Sequence, residues 1–338
     1  MPDILELKPE GLYCAAGDFY VDPWRPVDRA IITHGHSDHA RRGSRHYLCA
    51  PNSVPILKAR LGDDISVEAL EFEETKTFHQ AKVSLHPAGH ILGSAQVRIE
   101  VNGEVWVVSG DYKIEPDRTA EHFAPVRCHT FITETTFGLP IYQWAPQHTT
   151  FDQINAWWRS NQAQGKASLL MGYTLGKAQR LLAGVNREIG PILVHGSLTK
   201  INDIYRRAGV RLPLTMSVMD AKRGFEYCKA LVVAPPSVQG SVWTRRLGDH
   251  STAFASGWMA VRGMRRRSAV DRGFVLSDHV DWNGLLQAIR DTGAERILTT
   301  HGYAAQVSRY LAEQGFDSHP LETQFSGDEA EAQEEDDA

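Results

Sequence analysis

Residues 33–39 read Thr-His-Gly-His-Ser-Asp-His, and this stretch decides the fold class of the 338-residue chain. It follows Ala30-Ile31-Ile32, a short apolar pattern that is typical of a buried strand. Imidazole and carboxylate groups are ligands that suit zinc and similar divalent ions. Alternation points the first two histidines the same way, whereas Asp38 and His39 begin a turn and can face a second ion. The stretch therefore predicts a metal-binding loop at the end of a strand.

Other predicted strands also end at polar side chains. Two alternating apolar runs flank Asn102-Gly103, a pair that favours a type I′ hairpin, and the second run leads into Asp111. Strands near residues 130–135, 274–276 and 297–299 lead into acidic or histidine side chains. In layered α/β folds ligands gather at strand ends, because the sheet holds the converging loops rigidly. The further candidates for this site are His90, Asp111, Glu134, His279 and His301.

These motifs resemble the metallo-β-lactamase superfamily and, more narrowly, its nucleic-acid-processing branch, the β-CASP nucleases. The resemblance covers most of the chain. The chain looks most similar to the short bacterial ligase-associated DNA exonucleases, which share the Val-Asp-Pro-Trp lead-in at residues 21–24 and the His-Ser-Asp-His-Ala-Arg run at 36–41. The residues that match the motifs of the branch are Asp22, His34, His36, Asp38, His39, His90, Asp111, Glu134, His279 and His301.

The resemblance implies an α/β fold, the metallo-β-lactamase αββα sandwich with a short β-CASP-like α/β insertion. Residues 1–145 and 268–325 would form the two parts of the metallo-β-lactamase domain, and residues 146–267 the insertion. Residues 326–338 would be a disordered acidic tail, since residues 328–337 carry seven acidic side chains and no basic one. Without those acids the formal charge of −5 becomes slightly positive.

The resemblance also implies a two-metal mechanism, with zinc as the expected ion and manganese as an alternative. His34, His36 and His90 would hold one ion and Asp38, His39 and His301 the other, with Asp111 bridging them. The ions would activate a hydroxide, which Asp38 also orients, for attack on a phosphodiester. His279 would be the general acid for the leaving oxygen, Glu134 would hold its tautomer, and Asp22 would orient a ligand histidine.

A nuclease also needs cations for the phosphates of its substrate. Arg41 and Arg42 directly follow the metal loop, and Arg262, Arg265, Arg266 and Arg267 form a basic run beside Trp258. A basic groove with an aromatic stacking surface is typical of single-strand binding, although arginine runs are as often solvated faces. Lys177, or the turn at Gly196-Ser197, is a candidate for holding a terminal phosphate.

Composition limits the other classes of function. No apolar run approaches the roughly 18 residues of a membrane span, and the beginning of the sequence lacks the pattern of a signal peptide. Four widely spaced cysteines argue against a disulfide framework, so we expect a cytoplasmic protein. Nucleic acid is the expected partner, DNA before RNA, and the family association adds a DNA ligase and a helicase.

Four hypotheses follow, and the first is an exonuclease on single-stranded DNA, acting in repair. The alternative is an RNA-processing nuclease of the same fold. His301 favours the alternative, because DNA cross-link-repair relatives lack a histidine there, whereas the short insertion favours DNA. A small-molecule hydrolase shares the metal loop, but Glu134, His279 and the arginines argue against it. A binding module without metal is disfavoured because no expected ligand is missing.

Overall fold

A computed structural model describes residues 3–321, apart from the side chains of residues 264, 265 and 267. The chain divides into two compact units: the first runs up to Gln143 and resumes at His279, and the second is Trp144–Asp278. Residues 268–278, which we placed in the C-terminal part of the larger domain, lie in the second unit, because a strand at 272–274 pairs with its sheet. The acidic tail lies outside the described residues.

The first unit contains two sheets, whose strands are numbered here in chain order. One has the order β1-β2-β3-β4-β5-β6 and the other the order β19-β18-β11-β10-β9-β8-β7. The strands of the first sheet are β1 (Glu6–Lys8), β2 (Gly11–Cys14), β3 (Phe19–Val21), β4 (Arg29–Ile31), β5 (His46–Cys49) and β6 (Val67–Ala69). Those of the second are β7 (Thr75–Phe78), β8 (Ala81–Pro87), β9 (Ala95–Val101), β10 (Glu104–Val108), β11 (Thr130–Glu134), β18 (Arg296–Thr300) and β19 (Asp317–Pro320).

Alternation along these strands gives each sheet two apolar faces. The inner faces form one core, to which Val21 and Ile31 contribute from the first sheet and Val97 and Ile132 from the second. Helix α1 (Ser53–Leu61) covers the outer face of the first sheet. Helices α6 (Trp282–Thr292) and α7 (Ala304–Glu313) cover the outer face of the second. The layers are therefore α, β, β and α, as the family resemblance implies.

The predicted hairpin is confirmed. β9 and β10 pair antiparallel, with Val101 opposite Glu104. The two residues between them, Asn102 and Gly103, have φ angles of 52° and 86°. Positive φ at both central positions is the requirement of a type I′ turn, which these residue types tolerate best. The turn reverses the chain direction, so that β10 leads into the polar residues that follow it.

The second unit has a parallel sheet in the order β14-β13-β15-β12-β16-β17. Three of its helices pack on one face, where Trp158, Leu181 and Leu198 meet the sheet residues Leu170 and Val233. The strands are β12 (Ala167–Met171), β13 (Ile192–Val194), β14 (Met216–Ser217), β15 (Leu231–Ala234), β16 (His250–Ala255) and β17 (Arg272–Phe274). The helices are α2 (Gln147–Ala163), α3 (Lys177–Gly184), α4 (Ser197–Arg207) and α5 (Arg262–Arg267).

Two local expectations for this unit are wrong. The sequence predicts irregular structure over 235–267, but β16 lies there and pairs along its length with β12. The sequence also predicts a helix from Lys177 to Ile189, whereas α3 ends at Gly184. Val185 is extended, and the next residue, Asn186, donates its N–H to the Asn155 side chain at 2.9 Å. Tertiary pairing decides both points, and a local pattern does not contain it.

Among the described residues, no helix is both long and apolar enough to span a membrane. The four cysteines are unpaired. Three of them, Cys14, Cys49 and Cys128, are buried.

Candidate metal centre

The candidate ligands lie just beyond strand ends of the first unit. The loop 34–39 follows β4, His90 follows β8, Asp111 follows β10 and His301 follows β18. Within the described residues, potential ligand atoms form compact groups in which all atoms lie within 4.8 Å of one another. The groups are His34, His36, His90 and Asp111; Asp38, His39 and His301; and Asp111, Glu134 and His279. The structure thus brings together all ten of the sequence-predicted residues except Asp22, which lies beside the second group.

The first group converges on its ring nitrogens. His36 Nδ1 lies 3.1 Å from His34 Nε2 and 3.0 Å from His90 Nε2. Asp111 Oδ2 lies 3.5 Å from His34 Nε2 and 3.8 Å from His90 Nε2. Ligands that bind one ion at about 2.0–2.1 Å lie about 3.0–3.4 Å from one another, so this spacing is that of a metal site. The three histidines are at most 7% exposed, which excludes bulk water from competing.

The second group is held from behind by Asp22. Asp22 Oδ2 lies 2.7 Å from His39 Nδ1 and accepts from Thr33 Oγ1 at 2.6 Å, while Oδ1 accepts from the Thr33 N–H at 2.8 Å. His39 therefore presents Nε2 to the group, 3.4 Å from Asp38 Oδ2. Asp22 and His301 have backbone φ angles of 44° and 54°, which residues other than glycine rarely adopt.

Asp111 lies between the first two groups. Its Oδ2 faces His34 and His90, whereas its Oδ1 lies 3.5 Å from His39 Nε2 and 3.9 Å from His301 Nδ1. One carboxylate oxygen thus faces each group, as a bridging ligand requires. Asp111 Oδ1 and His39 Nε2 are buried, and neither has a hydrogen-bond partner among the described residues. Buried polar atoms rarely lack partners, so these two atoms fit a bound cation.

Electrostatics support the same interpretation. Burial would lower the pKa of His39, but the carboxylates of Asp38, Asp111 and Asp22 raise this pKa well above its ordinary value. Burial would raise the pKa of Asp111, but His39 and His279 hold this pKa well below its usual range. Burial, with the neighbouring histidines, lowers the pKa of His34 well below its ordinary value. The site thus concentrates anionic oxygens among imidazoles, an arrangement that fits divalent cations.

His279 is paired with a buried acid. Its Nδ1 lies 3.0 Å and 2.9 Å from the two carboxylate oxygens of Glu134. Glu134 Oε1 also accepts the backbone N–H of Tyr112 at 2.9 Å, which fixes the carboxylate. The Nδ1 of His279 lies 4.0 Å from Asp111 Oδ2, so the pair adjoins the candidate metal ligands. The Glu134 carboxylate thus favours the form of the ring that carries a proton on Nδ1.

Helix α1 braces the two loops that supply the histidines of the first group. Arg60, in its last turn, donates to the carbonyl of Gly35. At its other end, Ser53 Oγ donates to the carbonyl of Gly93 at 2.8 Å, and Asn52 Nδ2 bonds Glu121 Oε1 at 2.6 Å. Glu121 Oε2 in turn accepts the Gly93 N–H at 2.8 Å. This brace could not be predicted from the sequence, because Glu121 lies 69 residues from Asn52 and no motif joins them.

A small cavity adjoins the second group. It has a volume of about 50 Å³, and its lining includes Asp38, His39 and His301 together with apolar Leu12 and Ile132. A water needs roughly 10–15 Å³ measured in this way, so the cavity has room for a few waters beside the candidate ligands.

The cationic candidates divide into exposed and buried side chains. Arg42 is exposed, with its guanidinium 3.5 Å from an Asp64 carboxylate oxygen, and Arg41 is half-buried. Arg262 and Arg266 are exposed on α5. The side chains of Arg265 and Arg267 lie outside the described residues.

Two expectations for substrate contacts need correction. Lys177 is only 3% exposed, and its Nζ bonds Asp278 Oδ2 and the carbonyl of Leu276, both at 2.9 Å, so it faces the interior and not a terminal phosphate. Trp258 is 8% exposed and offers no stacking surface. Ser197 is half-buried at the start of α4, and its Oγ lies 2.8 Å from His195 Nδ1.

The chain is similar in sequence to known proteins. No family model matches the chain. A probable DNA ligase of Opitutus terrae is 32% identical over 314 residues, which make up 91% of this chain and 30% of the ligase. Endoribonuclease YSH1 of Gibberella zeae is 32% identical over 167 residues, 48% of this chain and 19% of that protein. The chain thus spans less than a third of the length of either relative.

A solved structure shares the fold. A protein of unknown function from Enterococcus faecalis V583 superposes with a TM-score of 0.56 at 9% identity, covering 88% of this chain and 79% of that one. At this identity the likeness concerns the fold alone.

Proposed function

We propose that this chain, a homologue of the metallo-β-lactamase-fold nucleases of the β-CASP branch, is a metal-dependent exonuclease that hydrolyses phosphodiester bonds of single-stranded DNA in DNA repair. The observation that carries the choice of DNA is the extent of the matches. The ligase-named relative aligns with 91% of the chain, whereas the endoribonuclease aligns with 48%. A nuclease that prepares DNA ends for joining would act together with a ligase, which would explain its similarity to part of a ligase-named protein.

Two divalent ions, zinc or manganese, would be held by the first two ligand groups. His34, His36 and His90 would bind one and Asp38, His39 and His301 the other, with one oxygen of Asp111 facing each. When bound, such ions neutralise phosphate charge and lower the pKa of a coordinated water.

The remaining roles belong to the side chains themselves. Glu134 holds Nδ1 of His279, so the protonated ring presents Nε2–H to the leaving oxygen of the substrate. Asp22 holds Nδ1 of His39 and fixes which nitrogen that ring turns toward the ligand group. Asp38 would also orient the attacking water. Arg41, Arg42 and the run at 262–267 would contact phosphates of the substrate strand.

We propose digestion from a 5′ end, on the basis of the resemblance to cross-link-repair nucleases. With Lys177 buried, Ser197 is the remaining candidate for a terminal-phosphate contact. A fixed terminal phosphate would set the distance from the strand end to the bond that is cut.

The test is time-resolved digestion of single strands labelled at either end, in DNA and RNA versions, with zinc or manganese supplied. His279→Ala serves as the inactive control. We expect a ladder that starts at the 5′ end of DNA. A ladder from the 3′ end would overturn the polarity, and cuts in circular single strands would overturn the exonuclease assignment.

The second candidate is an RNA-processing nuclease. It is favoured by the endoribonuclease relative and by the histidine at position 301, which RNA enzymes of the branch share. Faster loss of RNA than of DNA in the same experiment would make this candidate the function.

A further inference from the structure

A cluster of buried charges surrounds Asp278, the residue directly before His279 in the chain. Lys177 Nζ lies 2.9 Å from Asp278 Oδ2, and Arg180 Nη1 lies 2.7 Å from Oδ1. The three side chains are at most 6% exposed. We call Lys177, Arg180 and Asp278 the Asp278 clamp.

The two cations of the clamp also hold the backbone. Lys177 Nζ donates to the carbonyl of Leu276 at 2.9 Å, and Arg180 Nη1 donates to the carbonyl of Ser277. Both carbonyls lie beyond β17, which ends at Phe274, so they have no place in the sheet ladder. The clamp therefore fixes three consecutive residues that regular secondary structure leaves unsupported.

The start of α3, which carries both cations, is itself fixed. Gln179 Oε1 accepts the N–H of Gly176 at 2.7 Å, and Gln179 Nε2 donates to Asn202 Oδ1 at 2.8 Å. Gln179 and Asn202 are fully buried. Gly176 has φ of 85°, a conformation that glycine adopts without strain. A buried polar network of this kind makes the positions of Lys177 and Arg180 well defined.

Stability alone is a weak explanation for the clamp. Taking charges out of water is costly, and well-packed apolar residues at such positions often give equal or greater stability. What buried charges add is directional bonding, and here the bonds are aimed at the chain that leads into His279.

We propose that the Asp278 clamp is a positioning device for His279. It sets the backbone from which the imidazole projects, so that Nε2 reaches the leaving oxygen while Nδ1 stays on Glu134. Lys177, Arg180 and Asp278 are then positioning residues that act through His279. The inference rests on the proposed function, in which His279 supplies the proton.

The test is Asp278→Asn, which keeps the size of the side chain and weakens both ion pairs. Two substrates separate the possibilities: an end-labelled DNA strand, whose leaving oxygen needs a proton, and bis(p-nitrophenyl) phosphate, whose nitrophenolate leaves without one. We expect kcat on DNA to fall by about 10- to 100-fold, since misplacement of a reacting group by about 1 Å can cost 10²-fold. KM, metal content and kcat on the nitrophenyl ester should change less than about threefold.

The matched control is Asp271→Asn. Asp271 is a carboxylate of the same unit that accepts the N–H of Thr252 at 2.8 Å and makes no bond to residues 276–278 among the described contacts. It should leave the ratio of the two activities unchanged. Arg180→Met should reproduce the effect of Asp278→Asn, and Arg180→Lys should restore part of the loss. If Asp278→Asn does not fold, the Arg180→Lys and Arg180→Met pair gives the same comparison.

A second readout separates the clamp from the proposed function. The ¹⁵N resonances of the His279 ring, identified by their loss in His279→Ala, should shift in Asp278→Asn and stay in place in Asp271→Asn. Unmoved resonances, or an equal fall of both activities, would overturn the clamp. If His279→Ala itself lowers both activities equally, the assignment of His279 as the general acid fails. The shift of the His279 resonances in Asp278→Asn then remains as the test of whether the clamp positions the His279 ring.

Discussion

Glu134→Gln is the sharpest test of the proposed acid. Glu134 is 1% exposed and contacts His279 Nδ1 with both oxygens, at 2.9 and 3.0 Å. Gln keeps the shape and one acceptor oxygen, which can still receive the N–H of Tyr112. It removes the negative charge that stabilises a protonated imidazole and places an amide N–H₂ against Nδ1. The change should therefore leave the fold intact and weaken the charged form of His279.

The expected size follows from the charge separation. Two unit charges about 4 Å apart interact by about 4 kcal/mol at an effective dielectric constant of about 20. A loss of that size in the transition state corresponds to about 10³-fold in rate. This lies within the range of about 10² to 10⁴ that general acid catalysis contributes.

The assay is single-turnover cleavage of an end-labelled DNA strand, with metal content measured on the same sample. Arg309→Gln is the control, because the guanidinium of Arg309 on α7 is exposed and pairs with Glu313. The reasoning fails if Glu134→Gln retains more than about a tenth of the wild-type rate, or if it loses an equivalent of metal. The second result would make Glu134 or His279 a ligand.

Three further outcomes are expected. Asp111→Asn should lower activity by at least about 100-fold and reduce bound metal in elemental analysis, because its two oxygens face different ligand groups; full metal content with low activity would contradict the bridge. Replacing Arg262, Arg265, Arg266 and Arg267 by Gln should flatten the slope of log Kd against log salt for a DNA strand by up to about 3, and an unchanged slope assigns the run to a solvated face. Burial raises the pKa of Cys49 and Cys128 to about 12, so these thiols stay protonated in the folded chain while those of the unfolded chain ionise above pH 8.5. The unfolded state then binds fewer protons, and the two thiols together should remove about 4 kcal/mol of stability at pH 10, measured by urea unfolding against a Cys49→Ala/Cys128→Ala variant.

The metal centre could be predicted because its chemistry is local in sequence. Four of the candidate ligands lie within residues 34–39, and Asp111 and His301 follow strands that the sequence predicts. The sheet fixes the position and direction of each strand end, so the side chain of a polar residue there can occupy only a few positions. The pairing of His279 with Glu134, 145 residues apart, needed the resemblance to a family, because no spacing rule joins them.

The expectations that the structure corrects share one physical cause, which is packing between residues far apart in the sequence. Lys177 is a candidate phosphate ligand in the sequence, but its partner Asp278 lies 101 positions later in the chain, where no local pattern reveals it. Trp258 looked like a stacking surface because it adjoins arginines, but its burial depends on packing that sequence neighbours do not encode. β16 lacks a clear period because it lies in the interior of a parallel sheet, between β12 and β17.

The backbone at the site supports a functional origin for its geometry. Asp22 and His301 both adopt positive φ, a conformation in which glycine or asparagine would be less strained. Such positions cost of order 1–3 kcal/mol each and persist only where the surroundings enforce them. At Asp22 the enforcement is visible, because the same carboxylate holds the Thr33 backbone and the His39 ring. At His301, Thr135 Oγ1 donates to the backbone carbonyl, and Gly302 allows the Thr135–Thr136 backbone to pass close by. The hydrogen bonds and close packing around Asp22 and His301 thus hold both residues in a conformation that their residue types adopt at some cost.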